Sequence, residues 1–259
     1  MPKFAANLSF LYQELPFLDR FAQAAADGFE AVEYVSPYEH DKSLVADTLK
    51  AANLKQALFN LPAGNWAAGE RGIACLPNRI EEFRSSLETA IAYAQALECP
   101  TLNCLAGIAP KGIEKAVLDQ TLASNLSYAA ERLSDAGIAL VMEPINQIDM
   151  PGYHVSTTAH ALEIFDRAGA NNLKIQYDFY HIQIMQGDLM RTFEALFDRI
   201  GHVQIADNPG RREPGTGGIN YTFILNELDR LGYAGWVGCE YRPTTTTTAS
   251  LSWMAPFRL

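Results

Sequence analysis

Cysteine is scarce. Cys75, Cys99, Cys104 and Cys239 are the four in 259 residues, and no two form a CxxC pair. That excludes a disulfide framework and offers poor ligand spacing for zinc, so the four read as buried or half-buried free thiols. A chain of this length makes a core large enough to need neither staple. Basic residues are outnumbered, 20 Lys and Arg against 30 Asp and Glu, for a net charge of -10. The basic face that nucleic acid requires is therefore not expected, although a local site can still carry the opposite sign and take a small anion. No apolar run approaches a membrane span, and the opening MPKFAANLSFLYQELPF has no long apolar signal segment. The expected location is cytoplasmic, without a membrane partner. Glycine-rich phosphate loops are missing too: Asn7-Leu8-Ser9-Phe10 follows the first apolar run. With 48% hydrophobic residues, disorder is excluded.

What is present is a regular alternation. Short apolar runs predict strands at Phe4–Leu8, Ala31–Val35, Gln56–Asn60, Thr101–Leu105, Ile138–Glu143, Leu173–Asp178, His202–Ala206 and Trp236–Glu240. They are brief and mostly apolar, as expected of strands covered on both faces. Between them apolar residues recur at helical spacing: Leu18, Phe21, Ala22 and Ala25 before Gly28, and Leu122, Leu126, Ala129 and Leu133 before Gly137. Ile80–Ala96, Thr158–Ala168, Asp188–Ile200 and Tyr221–Leu231 read the same way, with a last helix near Ala249–Met254. Eight strand–helix repeats predict an α/β fold, a closed (β/α)₈ barrel formed as one domain over residues 1–259, and disfavour a doubly wound open sheet. The run Thr244–Thr248 reads as an extended connector with no chemistry.

Polar groups interrupt these strands at informative places. The fifth run ends in Glu143, the sixth in Asp178 and the eighth in Glu240, while the seventh carries Gln204. Strands five to eight are consecutive, and the C-terminal strand ends of a barrel converge on one mouth. One acid after a strand is often only a helix N-cap; three on neighbouring strands would repel one another unless protonated or neutralised. A divalent cation removes that cost, and an all-oxygen donor set favours Mg²⁺ or Mn²⁺ over zinc.

The stretches Val141-Met-Glu-Pro-Ile-Asn-Gln147, Gln176-Tyr-Asp-Phe-Tyr-His181 and His202 to Tyr221, with the opening Phe4-Ala-Ala-Asn-Leu-Ser9 and closing Gly238-Cys-Glu-Tyr-Arg-Pro243, resemble hydroxypyruvate isomerases. The resemblance runs to about Pro243. It implies a xylose-isomerase-like metal-dependent barrel of glyoxylate metabolism. Glu143, Asp178, Gln204 and Glu240 would bind the metal, and Glu143 and Glu240 would also transfer protons. His181 would contact substrate. Related sugar epimerases usually place histidine where Gln204 stands. A 2-oxo-tetronate isomerase, acting on an acid one carbon longer, is the near alternative. A metal-dependent nuclease or hydrolase would call for more histidines and a basic surface, and a barrel that only binds would leave both glutamates without a purpose.

The implied reaction exchanges a carbonyl and a hydroxyl between adjacent carbons through an enediolate, which needs a base, an acid and stabilisation of negative charge. Three carboxylates and one divalent ion sum to about -1, so a substrate carboxylate needs a further cation. Arg211 has the best position, in a Gly/Pro-rich loop after strand seven; Arg71 and Arg212 are the alternatives, with Arg212 and Glu213 expected to pair on the surface. Trp66 and Phe59-Asn60 are candidate walls, and His40, His154, His160 and His202 receive no role.

Overall fold

A computed structural model of the chain describes residues 1–257. Its strands are β1 (Lys3–Asn7), β2 (Ala31–Tyr34), β3 (Lys55–Asn60), β4 (Thr101–Cys104), β5 (Ala139–Met142), β6 (Leu173–Asp178), β7 (Ile200–Ile205) and β8 (Trp236–Cys239). All pair in parallel in chain order, and β8 pairs with β1, from Lys3 opposite Trp236 to Ala6 opposite Cys239. The sheet is thereby a closed eight-stranded barrel, as the alternation predicts. Helices α1 (Asp19–Ala26), α2 (Lys42–Ala51), α3 (Ile80–Ala96), α4 (Lys115–Asp135), α5 (Thr158–Ala168), α6 (Phe179–Met185), α7 (Leu189–Ala195), α8 (Tyr221–Arg230) and α9 (Thr247–Ser250) fill the crossovers. Their apolar stripes, such as Leu122, Leu126, Ala129 and Leu133 on α4, are fully buried in one continuous cluster with the outward faces of the strands.

Alternation along each strand sends the other face inward. Ala5, Ala31 and Ala57 form a separate small cluster against Trp236. Two residues further along, the same faces of β1 and β2 present Asn7 and Glu33, both buried. The lumen therefore has an apolar floor, a polar middle and an acidic mouth. All four cysteines are buried, and none is in a disulfide.

Three local expectations need correction. The Asp188–Ile200 pattern is not one helix: α7 ends at Ala195, a 3₁₀ turn covers Phe197–Arg199, and the chain is already extended at Ile200, which pairs with Ile175. Strand pairing overrides the helical periodicity there. The threonine run is not merely a connector. Thr246 caps α9 by accepting from the Ala249 N–H, the Thr247 hydroxyl accepts from the Tyr12 N–H at 2.6 Å, and Thr248 donates to Asp27 at 2.7 Å. Glu213 does not pair with Arg212: it is buried and accepts from the Thr244 N–H and hydroxyl. Arg212 instead donates to the carbonyls of Arg242 and Pro243.

Candidate functional site

The barrel places the predicted acids together. Glu143 follows β5, Asp178 ends β6 and Glu240 follows β8. One ligating atom from each of these three and from His181 lies within 4.8 Å of the others, and all four residues are buried. Asp178 also serves as the N-cap of α6, accepting from the Tyr180 N–H at 2.8 Å, so the capping reading holds for a residue that also stands in the acidic cluster. α6 then carries His181 back over the mouth. A cavity of about 940 Å³ opens above, walled by Asn60, Trp66, Arg71, Tyr180, Arg211 and Arg242 among others.

Burial, together with the neighbouring Glu240 and Asp178, pushes Glu143 well above the usual carboxyl range. Burial likewise raises Asp178 to about 6 and Glu240 to about 8, against the opposing pull of Arg211. Glu143 Oε1 and Asp178 Oδ2 are buried without any hydrogen-bond partner. Two bare carboxylate oxygens facing the same space, within an oxygen-rich set, fit a hard divalent cation.

His181 is held as a neutral donor. The Asn146 side-chain oxygen accepts from the Ile148 and Asp149 N–H groups, which turns its amide nitrogen to His181 Nδ1 at 2.6 Å. The Asn146 backbone N–H also donates to Nδ1, at 3.3 Å. Nδ1 is thus the acceptor and Nε2 carries the proton, 3.5 Å from both Glu143 Oε1 and Asp178 Oδ2. Burial, with Arg211 nearby, holds the imidazole well below its usual pKa.

Arg211 enters the site more deeply than a rim cation. Its guanidinium donates to the Glu240 carboxylate and, at 3.3 Å, to the Glu240 carbonyl, and lies 3.6 Å from Asp178 Oδ2. Phe10 lies 4.5 Å beneath the guanidinium and Tyr180 5.3 Å to its side. The loop that delivers it is organised by Asp207, whose carboxylate accepts from the N–H groups of Asn208, Gly215, Gly217 and Ile219. Arg71 is stacked on Trp66 at 3.9 Å at the edge of the cavity, and Arg212 points away.

Gln204 is engaged with its barrel neighbours. Its carbonyl accepts from Gln176 at 2.6 Å and its amide donates to Glu33 at 2.7 Å. Glu33 was invisible as a site residue in the sequence, yet it centres the polar layer. It accepts from Asn7 at 2.9 Å and contacts His202 Nε2 at 2.6 Å, and Asn7 also reaches Glu240 at 3.3 Å. His202 therefore has a place after all, as the partner of Glu33. The signal available was an acid within the apolar run Ala31-Val-Glu-Tyr-Val35. Gly238 makes room for it: a Cβ there would lie 2.3 to 2.5 Å from the Glu33 carboxyl group. Gly238→Ala should cost about 1–3 kcal/mol by overpacking, readable as a lower midpoint in urea unfolding at unchanged m.

A closed parallel barrel with three carboxylates, a neutral imidazole and a buried guanidinium at its C-terminal mouth defines a (β/α)₈ protein with an acidic cluster of a kind that could hold a cation. The description "Xylose isomerase-like TIM barrel" matches residues 21–257, and the chain belongs to that family. It is 51% identical over 258 residues to the hydroxypyruvate isomerase of Escherichia coli (strain K12), with 100% of both chains covered. It is 46% identical over 257 residues to a 2-oxo-tetronate isomerase of Cupriavidus necator, with 99% of each covered. Among solved structures, a Brucella melitensis protein described as an AP endonuclease of family 2 matches with a TM-score of 0.97, 45% identity and full coverage of both chains.

Proposed function

We propose that this protein is an isomerase that interconverts hydroxypyruvate and tartronate semialdehyde by proton transfer between adjacent carbons. The observation that carries this reading is the pair Glu143 and Glu240, set with Asp178 and a neutral His181 around one point of the mouth. Similarity to the two isomerases over the full chain length supports it. A net charge of -10 weighs against nucleic acid as substrate. The setting we propose is one cytoplasmic domain over residues 1–259, working in glyoxylate metabolism.

Glu143, Asp178 and Glu240 would hold Mg²⁺ or Mn²⁺, with Gln204 as a fourth ligand through the carbonyl now engaged by Gln176. A bound divalent ion supplies electrostatic stabilisation for the negative charge that develops on the substrate oxygens. One of the two glutamates removes the proton from the carbon that bears the hydroxyl, and the other delivers a proton to the neighbouring carbon. His181 Nε2 donates to a substrate oxygen, since Asn146 fixes its tautomer. Arg211 pairs with the substrate carboxylate once Glu240 and Asp178 are neutralised. Phe10 and Tyr180 keep the guanidinium plane in place while it exchanges partners. Arg211→Leu should then raise KM by about 10–150-fold, as expected for a charge-assisted bond worth about 1.5–3 kcal/mol, with a smaller change in kcat.

Steady-state kcat/KM on hydroxypyruvate and on 2-oxo-tetronate, each with Mg²⁺, tests the reading. A larger value for the four-carbon acid would assign the alternative isomerase, and no turnover of either would overturn the proposal.

The raised carboxyl groups give a cation-free pH dependence. The native state keeps protons that the unfolded chain releases near pH 4, so unfolding stability falls as pH rises from about 4 towards the value of about 8 at Glu240. The thermal midpoint in EDTA should fall between pH 5.5 and 8, and saturating Mn²⁺ should flatten that slope.

A further inference from the structure

A second cluster of ligating side chains lies outside the catalytic mouth, behind the β4–α4 and β5–α5 loops. Asp119 sits in the second turn of α4, His160 in the first turn of α5, and His154 a few residues before α5. Both imidazole Nε2 atoms converge on the same carboxylate oxygen, Asp119 Oδ1, at 2.9 Å for His154 and 2.8 Å for His160. One ligating atom from each of the three lies within 4.8 Å of the others. The side chains of His154 and Asp119 are 3% and 7% exposed and that of His160 13%.

A fourth atom completes the group. Lys115 Nζ lies 2.6 Å from Asp119 Oδ2 and 2.8 Å from His160 Nε2, while its side chain is 61% exposed. With Lys115 as ammonium and Asp119 as carboxylate, neither protonation state of His160 Nε2 satisfies both neighbours. The ammonium can only donate and the carboxylate oxygen can only accept. If Nε2 carries a proton, it opposes the ammonium; if it carries a lone pair, it opposes Asp119 Oδ1. A cation that accepts electron pairs from both imidazoles and the carboxylate removes the conflict, provided that Lys115 leaves. The lysine is long and mostly in solvent, so it can leave at little cost.

We infer that Asp119, His154 and His160 form a second metal site, selective for a borderline transition ion such as Zn²⁺ or Co²⁺, with Lys115 as its displaceable occupant. Two nitrogens and one carboxylate oxygen match the usual donors for these ions, and a water molecule at the position of Lys115 Nζ would complete four-coordination. Tetrahedral bonds near 2.0–2.1 Å require donor separations of about 3.3 Å. The two nitrogens must therefore move away from Asp119 Oδ1 by about 0.5 Å, towards the side that the lysine vacates. Mg²⁺, which seeks oxygen ligands and retains water, is a poor match for this set. An ion here would tie α4 to the segment leading into α5, away from the carboxylates of the mouth.

The test is titration of the metal-free protein with Co²⁺, followed by absorption in the visible d–d region and by equilibrium dialysis. The parent should bind two equivalents, one of them giving the intense bands of four-coordinate Co²⁺. His160→Gln should lose that equivalent and keep the other. Glu240→Gln should retain the intense bands, which separates this site from the mouth. Lys115→Ala, which leaves all three ligands in place and removes the competing ammonium, should bind this equivalent at least tenfold more tightly. A parent that shows no intense bands would overturn the inference. So would intense bands that survive in His160→Gln, or a Lys115→Ala protein with parental affinity.

Discussion

Glu240→Gln is expected to lower kcat by about 10²–10⁴-fold with Mg²⁺ or Mn²⁺ saturating, the range for loss of a positioned acid or base. The exchange keeps the size and the oxygen that Asn7 contacts, at 3.3 Å, but removes the negative charge and the basicity. Arg211 loses its carboxylate partner at the same time, although its bond to the Glu240 carbonyl remains available. Structural damage is therefore expected to be small, and the thermal midpoint should stay near that of the parent. A kcat within threefold of the parent would remove Glu240 from the proton-transfer pair. Because the glutamine also weakens one cation ligand, the assay must be run across a metal titration. Activity that recovers fully at high metal would assign Glu240 to binding alone.

Glu33→Ala is expected to produce the largest loss of stability. Glu33 is fully buried, and its carboxylate is shared by Asn7, Gln204 and His202. Removing it strands three polar groups and opens a cavity in the lumen. Breaking such a buried charged network costs about 3–5 kcal/mol, or a fall in thermal midpoint of roughly 6–20 °C for a chain of this size. Glu33→Gln keeps the volume and one acceptor and should lose less. Equal losses for the two variants would show that packing, rather than the carboxylate, is what Glu33 contributes. A loss below 1 kcal/mol for Glu33→Ala would show that the layer is not tied together through this residue.

The eight strands and the three acids of the mouth were legible in the sequence for a common reason. A doubly covered strand must be apolar, so an acid at its end stands out, and position in the barrel then fixes where it points. Glu33 was not legible because it occupies the inward face in the middle of a strand. There it is indistinguishable from a solvated residue until the barrel closes around it. Gln204 was legible as an inward residue, but its hydrogen bonds to Gln176 and Glu33 depend on neighbours that only the fold supplies. Arg242, which lines the same cavity as Arg211, lay within a recognised motif two residues beyond Glu240, but nothing in the spacing singled it out. The threonine run misled because low complexity says nothing about partners. Tyr12 and Asp27, which its hydroxyls meet, lie more than two hundred residues earlier.

The pairing of β8 with β1 has a consequence for the birth of the molecule. Asn7 and Glu240, which touch in the finished barrel, leave a ribosome roughly 12–45 seconds apart at about 5–20 residues per second. In the later part of that interval, once they have emerged, Glu143 and Asp178 have no Glu240 beside them and no eighth strand to shield them from water. The nascent chain therefore carries its acids as ordinary hydrated carboxylates. The electrostatic cost of gathering them falls only after Glu240 has emerged, when the eighth strand pairs with the first and seals the cylinder around the acidic mouth.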